Sequence, residues 1–271
     1  MTSPQTTSPG VFPWGRYRIP SDETMETRLG PLAILLKKEG DEIRLTHGWE
    51  EEGEGPGPPE RTGGGNMKWE RWAGSGELNE IEFLPAFPDR PLVLQPDNPF
   101  RLLPGARARV FVRVPLWVQI RVPGKQGGLL DEIPTRILSD TWWGGFGDGE
   151  MAYWLHITAR RGAPREIYLP DRIICPLALE NRAGEDLPVE KILLRVSHLS
   201  VFQGEGSLWS DEVRVRYRGE EEGSELEMTG KNPPEAPGAR RLASPRIPMA
   251  MGFTARTFTR LKALPGLGAS Q

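Results

Sequence analysis

The stretch ARVFVRVPLWVQIRV, residues 108–122, places an apolar side chain at every even position: Ala108, Val110, Val112, Val114, Leu116, Val118, Ile120 and Val122. The odd positions read Arg109, Phe111, Arg113, Pro115, Trp117, Gln119 and Arg121. A strict period of two marks a β-strand with one buried face, because successive side chains point to opposite sides of the pleat. Proline has no N–H to offer a ladder, so Pro115 belongs at an edge or divides the run into two shorter strands.

The same rhythm returns along most of the chain. Leu32, Ile34 and Leu36, a turn at Glu39-Gly40-Asp41, and Ile43 with Leu45 read as a hairpin. Strands follow around Ile81 and Phe83, at 92–94, at 151–159, at Ile173 to Leu179, at 189–202, and at Val213, Val215 and Tyr217. With 32 Gly and 27 Pro in 271 residues, turns are frequent. The fold class expected is all-β: two consecutive β-sandwich domains, immunoglobulin-like or jelly-roll-like, over 14–123 and 130–230, with GKQGG at 124–128 as linker. Residues 1–13, rich in Ser, Thr and Pro, are expected to be disordered, and the acidic Gly/Pro stretch 50–66 to form a flexible surface loop.

Composition narrows the function classes. Of 34 basic residues 27 are Arg and 7 Lys, yet the net charge is −3, so nothing in the overall balance draws the chain to nucleic acid. The excess of Arg, Gly, Pro and Ala reads as codon bias. The single cysteine, Cys175, forms no internal disulfide and no zinc cluster; it lies on an apolar strand face and reads as buried and inert. His47, His156 and His198 stand far apart without metal-ligand spacing, so no metal and no cofactor is expected. No Gly-x-Ser-x-Gly occurs, and the pattern points away from catalysis. With no leader pattern and no long apolar segment, the expected location is the cytoplasm.

The segment TWWGGFGDGEMAYWLHITARR, residues 141–161, is the most distinctive locally. Its glycines precede a strand-like run rather than a helix, and no Lys-Ser/Thr follows them, which excludes a phosphate-cradling loop. Asp140, Asp148 and Glu150 lie among Trp142, Trp143, Phe146, Tyr153 and Trp154. Carboxylates on an aromatic platform suit a carbohydrate ligand, bound or cleaved. The candidate ligand residues are therefore Trp142, Trp143, Asp148, Glu150 and Trp154, weighed against a glycine-permitted turn whose tryptophans cover a sheet end.

After Glu235 the chain carries six positive charges and no negative one, which leaves the preceding 235 residues at −9. Phe253, Phe258, Leu261 and Leu264 are spaced for one face of a short helix within a basic tail, 236–271. Arg256, Phe258, Arg260 and Lys262 are the candidates for a weak anionic-membrane contact or for docking on an acidic partner, including a second copy of the chain.

Thr141-Trp142, the Gly149-Glu150 step into Tyr153 and Leu155, the Thr158-Ala159-Arg160 ending, and SLWSDEVRVRYRGEEEGSELE at 207–227 together resemble an archaeal and bacterial family called domain of unknown function 432. The likeness runs from Trp14 to about Met228. In that family the aromatic-glycine loop is shorter and a Leu-Cys pair stands where Met151-Ala152 stand here, so no thiol role carries over. The resemblance implies a soluble module without an assigned activity. Some relatives are encoded near mechanosensitive-channel genes, which implies a channel-associated accessory protein as one reading. The function expected from the residues themselves is a non-catalytic binding or protein-interaction module, with a carbohydrate-active protein as its rival.

Overall fold

The computed structural model describes residues 14–21, 23–50, 68–73, 78–124, 127–162, 169–219, 223–248, 253–255 and 257. Among these it is all-β: 22 strands and one 3-10 turn, Val196–His198. The expected disordered 1–13 and nearly all of the expected loop at 50–66 lie outside the described residues.

Pro115 divides the alternating run. Arg107–Pro115 is one strand and Trp117–Arg121 another, and they enter different sheets. The first pairs antiparallel along Arg172–Asn181, with Val112 opposite Cys175. The second lies between Glu80–Ala86 and Leu129–Pro134. Val110, Val112, Val114, Leu116, Val118 and Ile120 are buried, whereas Ala108 and Val122 at the ends of the run are half-buried. The odd face is not all solvent. Phe111 packs with Ile174, Phe202, Trp209 and Ala236 in a second cluster, beneath the proline-rich segment that carries Ala236.

Two four-stranded sheets form the first part of the molecule. Gly15–Arg18, Glu80–Ala86, Trp117–Arg121 and Leu129–Pro134 make one. Thr24–Leu29, Leu32–Glu39, Glu42–Trp49 and Glu70–Ala73 make the other, and it contains the expected hairpin, with Gly40 at φ +59° in its turn. Ile34, Leu36, Ile43 and Leu45 share a cluster with Ile81, Phe83, Val118 and Ile120. The Trp49 indole N–H donates to the Pro134 carbonyl at 2.9 Å and the Lys38 ammonium to Asn79 Oδ1 at 2.6 Å, tying the sheets together.

The largest sheet is built on Arg172–Asn181. One flank carries Arg107–Pro115; the other is shared by Ser207–Ser210 and Val213–Tyr217, both parallel to it. Val201–Gly204 and Arg240–Ala243 continue beyond the former, Ser224–Met228 and Phe253–Ala255 beyond the latter. A further four-stranded sheet runs Ser139–Trp143, Glu150–Ile157, Leu92–Pro96, Ile192–Leu194.

The ladders cross the boundary expected at 124–128. Strands from 92 to 115 pair with chain beyond 139, while 117–121 pairs back onto 80–86 and carries 129–134 on its other side. The strands on either side of the expected linker pair with each other, Trp117–Arg121 with Leu129–Pro134, and Val122 N–H donates to Gly128 O at 2.9 Å; residues 125 and 126 lie outside the described residues. A Gly-rich stretch after a strand serves equally as tether or turn, and only the register of the next strand distinguishes them. The apolar cluster is likewise continuous, from Trp14 to Leu226.

At the crossing, Leu116 N–H donates to Asp171 O (2.9 Å), and Thr135 returns both its N–H and its hydroxyl to Leu116 O. The Thr135 hydroxyl also lies 3.2 Å from Asp171 O. The Asp171 carboxylate, 2% exposed, accepts from Arg136 Nε at 2.8 Å. Gly30, at φ +60°, closes over it, and a Cβ there would sit 2.5 Å from Asp171 Oδ2.

The tail departs from the helical expectation. Phe253–Ala255 is a strand on Ser224–Leu226, and Thr257 O accepts from Leu193 N–H at 2.9 Å, so the backbone bridges edges of two sheets. An isolated helix of so few residues is marginal, and an open strand edge offers the same backbone groups better partners. Arg256, Phe258, Arg260 and Lys262 lie outside the described residues. Among the described residues no helix is long and apolar enough to cross a membrane.

Cys175 is fully buried, and desolvation pushes its thiol up to about 12. Asp211 is buried where the partner of Arg172–Asn181 changes, accepting from Ser200 N–H (2.7 Å) and Gly230 N–H (3.1 Å). Burial raises its carboxyl above the ordinary range despite those bonds.

Four outcomes follow from this packing. Val118→Asp should cost several kcal/mol in urea denaturation, because an isolated charge enters the core, whereas Thr135→Val should cost about 0.5–1.5 kcal/mol for the lost hydroxyl bonds, since the Leu116 and Asp171 carbonyls keep the backbone N–H groups of Thr135 and Leu116. Native Cys175 should resist a thiol reagent at pH 8 and react on unfolding. Since Asp211 binds its proton more tightly folded than unfolded, its stabilising contribution is complete below the unfolded pKa of about 3.9 and is lost as pH rises through the raised folded value. The stability of the native protein relative to Asp211→Asn should therefore fall as pH rises from about 4, and a pH-independent difference would refute the assignment.

Candidate functional site

Ser139–Trp143 and Glu150–Ile157 form an antiparallel hairpin in which Asp140 faces Tyr153, Trp142 faces Met151 and Trp143 faces Glu150. Between them the chain reverses through Gly144, at φ +104°, whose Cβ would lie 2.9 Å from the Gly149 Cα; only glycine permits that approach. The Trp142 indole N–H donates to Gly145 O at 3.1 Å, and the ring lies against Gly149, where any Cβ would collide with it.

Pairing sorts the aromatic residues onto two faces. Trp142, Met151 and Tyr153 share one, and there Trp142 is 51% and Met151 43% exposed, with Phe146 fully exposed at the loop tip. Trp143 and Ala152 lie on the other, buried in a small cluster with Val93 and Leu193 that Trp154 packs against. The Lys191 ammonium stands 4.5 Å from the Trp154 ring centroid. Of the sequence candidates, then, Trp142 is presented outward, whereas Trp143 is a packing residue and Trp154 lies half-buried beside it.

The carboxylates separate in the same way. Asp140, on the Trp142 face, pairs with Arg90 at 3.0 Å. Glu150, on the opposite face, takes both guanidinium nitrogens of Arg195 at 2.6 and 2.8 Å. Asp148 stays within the turn, its Oδ1 beside Gly145. A glycosidase pair must flank one bond from one cleft. Asp140 and Glu150, on opposite sides of a sheet, do not make that arrangement. Beside Asp140, Tyr153 donates to Asp89 Oδ1 at 3.0 Å under the Arg90 guanidinium; burial, then the Asp89 hydrogen bond, pushes its phenol up to about 12, so it acts as a neutral donor.

The histidines stay apart. His47 lies edge-on to Trp49, His156 lies near Trp154, and His198 Nδ1 is 2.9 Å from Ile247 O. In the basic tail, Arg241 donates to Gly230 O, and Arg246 donates to Phe87 O at 2.7 Å while pairing with Glu132, so these cations dock on the chain itself.

Sequence reading missed a second surface. On the outer face of the large sheet the register aligns Arg107, Glu180, Arg216 and Glu225 in one row, and Arg109, Ala178, Arg214 and Glu227 in the next. Over these rows lies an open groove of about 540 Å³ lined by Arg107, Arg109, Arg182, Arg214, Arg216 and a single carboxylate, Glu180. Arg214, Arg216 and Arg218 alternate within VRVRYR, residues 213–218, but nothing local shows that Arg107 and Arg109, more than a hundred residues away, stand two strands across.

The family described as protein of unknown function (DUF432) matches residues 13–262. No curated protein and no solved structure matches the chain. The family match covers nearly all the residues that build the sheets, including the aromatic hairpin and the arginine rows, and by it this chain belongs to the DUF432 family.

Proposed function

We propose that this protein is a non-catalytic binding module that takes a protein partner at the tip of the Ser139–Ile157 hairpin. The observation that carries the reading is Trp142: half-exposed, yet held by its bond to Gly145 O and by contact with Gly149. An exposed aromatic ring fixed before binding loses little conformational freedom on contact, which is the property of interface anchors. Phe146 and Met151 extend the apolar surface beside it.

A carbohydrate ligand would need polar groups placed around the ring as well as the ring itself. Asp140, on the same face as Trp142, is engaged by Arg90, which favours an apolar protein surface over a sugar.

The test compares the native protein with Phe146→Ser and Trp142→Ala in quantitative capture from cells of the source organism and on a glycan array. Phe146→Ser should leave the melting temperature unchanged, because the side chain is fully exposed. Either substitution should weaken the captured partner at least tenfold, as expected for an anchor contributing about 2 kcal/mol. Capture indifferent to both substitutions places the interaction elsewhere, and glycan binding lost with Trp142→Ala replaces the protein partner by a sugar.

A further inference from the structure

We propose that the groove between the hairpin of Val201–Gly204 with Ser207–Ser210 and the chain segment 235–240 is a binding site for a neutral small molecule, whose carbonyl oxygen accepts the Trp209 indole N–H. This site lies apart from the aromatic hairpin tip and does not depend on the reading given for it.

Phe202 stands opposite Trp209 across this hairpin, and the two side chains pack with Phe111 and Ile174 on the outer face of the large sheet. The proline-rich segment folds back over them. Ala236 N–H donates to Pro233 O at 2.9 Å and Ala239 N–H to Ala236 O at 3.1 Å, while the Asn232 amide holds the carbonyls of Ala236 and Pro237 at 2.7 and 3.0 Å. Ala236 is thereby set into the cluster, and Phe111 meets the Trp209 ring edge-on, with 6.4 Å between centroids. These contacts leave Trp209 only 6% exposed.

The ring is fixed, but its one polar group is not satisfied. The Trp209 indole N–H has no acceptor among the described residues, and it can be reached from solvent, whereas the indole N–H groups of Trp14 and Trp72 are sealed in. It meets the groove beside Gly204, where a Cβ would lie 3.2 Å from Trp209 Cδ1 and 3.3 Å from both Trp209 Nε1 and Ala236 Cβ. Gly204 ends a regular strand without a left-handed φ, so its backbone does not demand glycine. Its bareness instead leaves the approach to the donor open, as glycine does where a ligand comes close to a strand. An indole supplies a donor and no acceptor, so the ligand must bring the acceptor oxygen.

Size and charge define the rest of the ligand. The groove holds about 640 Å³, the scale of a small-molecule site. Ala236, Pro237, Gly238 and Ala239 line one wall and offer apolar contact with little side-chain bulk. The charges around it cancel. Glu235 gives both carboxylate oxygens to Arg109, and the exposed Glu205 and Arg240 carry opposite signs. An ion would find no uncompensated counter-charge here, whereas a neutral carbonyl on an apolar body replaces the solvent at the N–H with an equivalent bond and gains contact along the wall. An amide has that chemistry.

The test follows the indole N–H signals of the isotope-labelled full chain by NMR, with Trp209 assigned through its backbone connectivity, during titration with benzamide, toluene and benzoate. Benzamide should move the Trp209 signal downfield along a saturable curve. Toluene, which lacks the acceptor, and benzoate, which carries a charge, should each bind more weakly by roughly fivefold, the worth of one net hydrogen bond. Gly204→Ala should fold, because its strand backbone accommodates alanine, and should lose the benzamide response, because the new methyl covers Nε1. Absence of saturable benzamide binding overturns the proposal, as does saturable binding that leaves the Trp209 signal unmoved, or toluene binding as tightly as benzamide. An undiminished benzamide response in folded Gly204→Ala overturns it as well. If that variant fails to fold, the three titrations of the native protein decide by themselves.

Discussion

The peptide between Pro115 and Leu116 is the constraint on which the rest of the architecture depends. A single alternating run of this length would otherwise continue along one sheet. Proline withholds an N–H, the first strand ends, and the next begins in a different sheet. Leaving one ladder for another inside the core exposes backbone groups to an environment without water, where each unpaired group costs on the order of 1–3 kcal/mol. Here they are accounted for: Leu116 N–H by Asp171 O, and Leu116 O by Thr135 through both backbone and hydroxyl. Because those partners come from segments 19 and 55 residues further along, the crossing forms only when the later chain has arrived. That dependence joins what would otherwise be separable sheet pairs.

A second theme is how the sheets carry charge. The outer face of the large sheet holds arginines and glutamates in register, so each strand supplies the counter-charge for its neighbour. Exposed pairs of this kind contribute little to stability individually. Glu212 differs, since it is almost fully buried and pairs with both Arg109 and Arg214 there. The consequence is positional: buried or shared carboxylates hold these guanidinium groups in fixed places on the sheet. Trp142 at the hairpin tip follows the same logic with an apolar group, held by one hydrogen bond and a bare glycine. Both surfaces thus present side chains whose conformations were settled in folding, and neither needs a reactive nucleophile or a carboxylate pair.

How far each feature could be read beforehand depends on the range of the interaction that produces it. Alternation is a property of neighbouring residues, so the all-β class, the buried valines of 110–118 and the division at Pro115 were legible. The turn at Gly40 and the burial of Cys175 were too, each following from a few adjacent side chains. The aromatic loop was legible as unusual but not as a site, because whether Trp142 or Trp143 faces outward depends on which side of the sheet is covered. The tail shows the same limit: its apolar spacing suited a helix, and a free strand edge from residues 224–226 drew 253–255 into a ladder instead.

What the sequence determined by itself is therefore local: strand periodicity, turn positions, the proline break, and the chemical character of each candidate residue. Tertiary structure decided which strands became neighbours, and with that everything that needs two distant segments at once. Residues 129–134 came to lie beside 117–121, on the far side of the glycine-rich stretch, because the two strands pair in one sheet. Asp140 and Glu150 parted because pairing placed them on opposite faces of one sheet. Arg109 and Arg214 came to flank Ala178 because Arg172–Asn181 takes one partner from each side. Backbone hydrogen bonding is indifferent to side-chain identity, so strand order is chosen by the cooperative burial of whole faces, a quantity no local window of sequence contains.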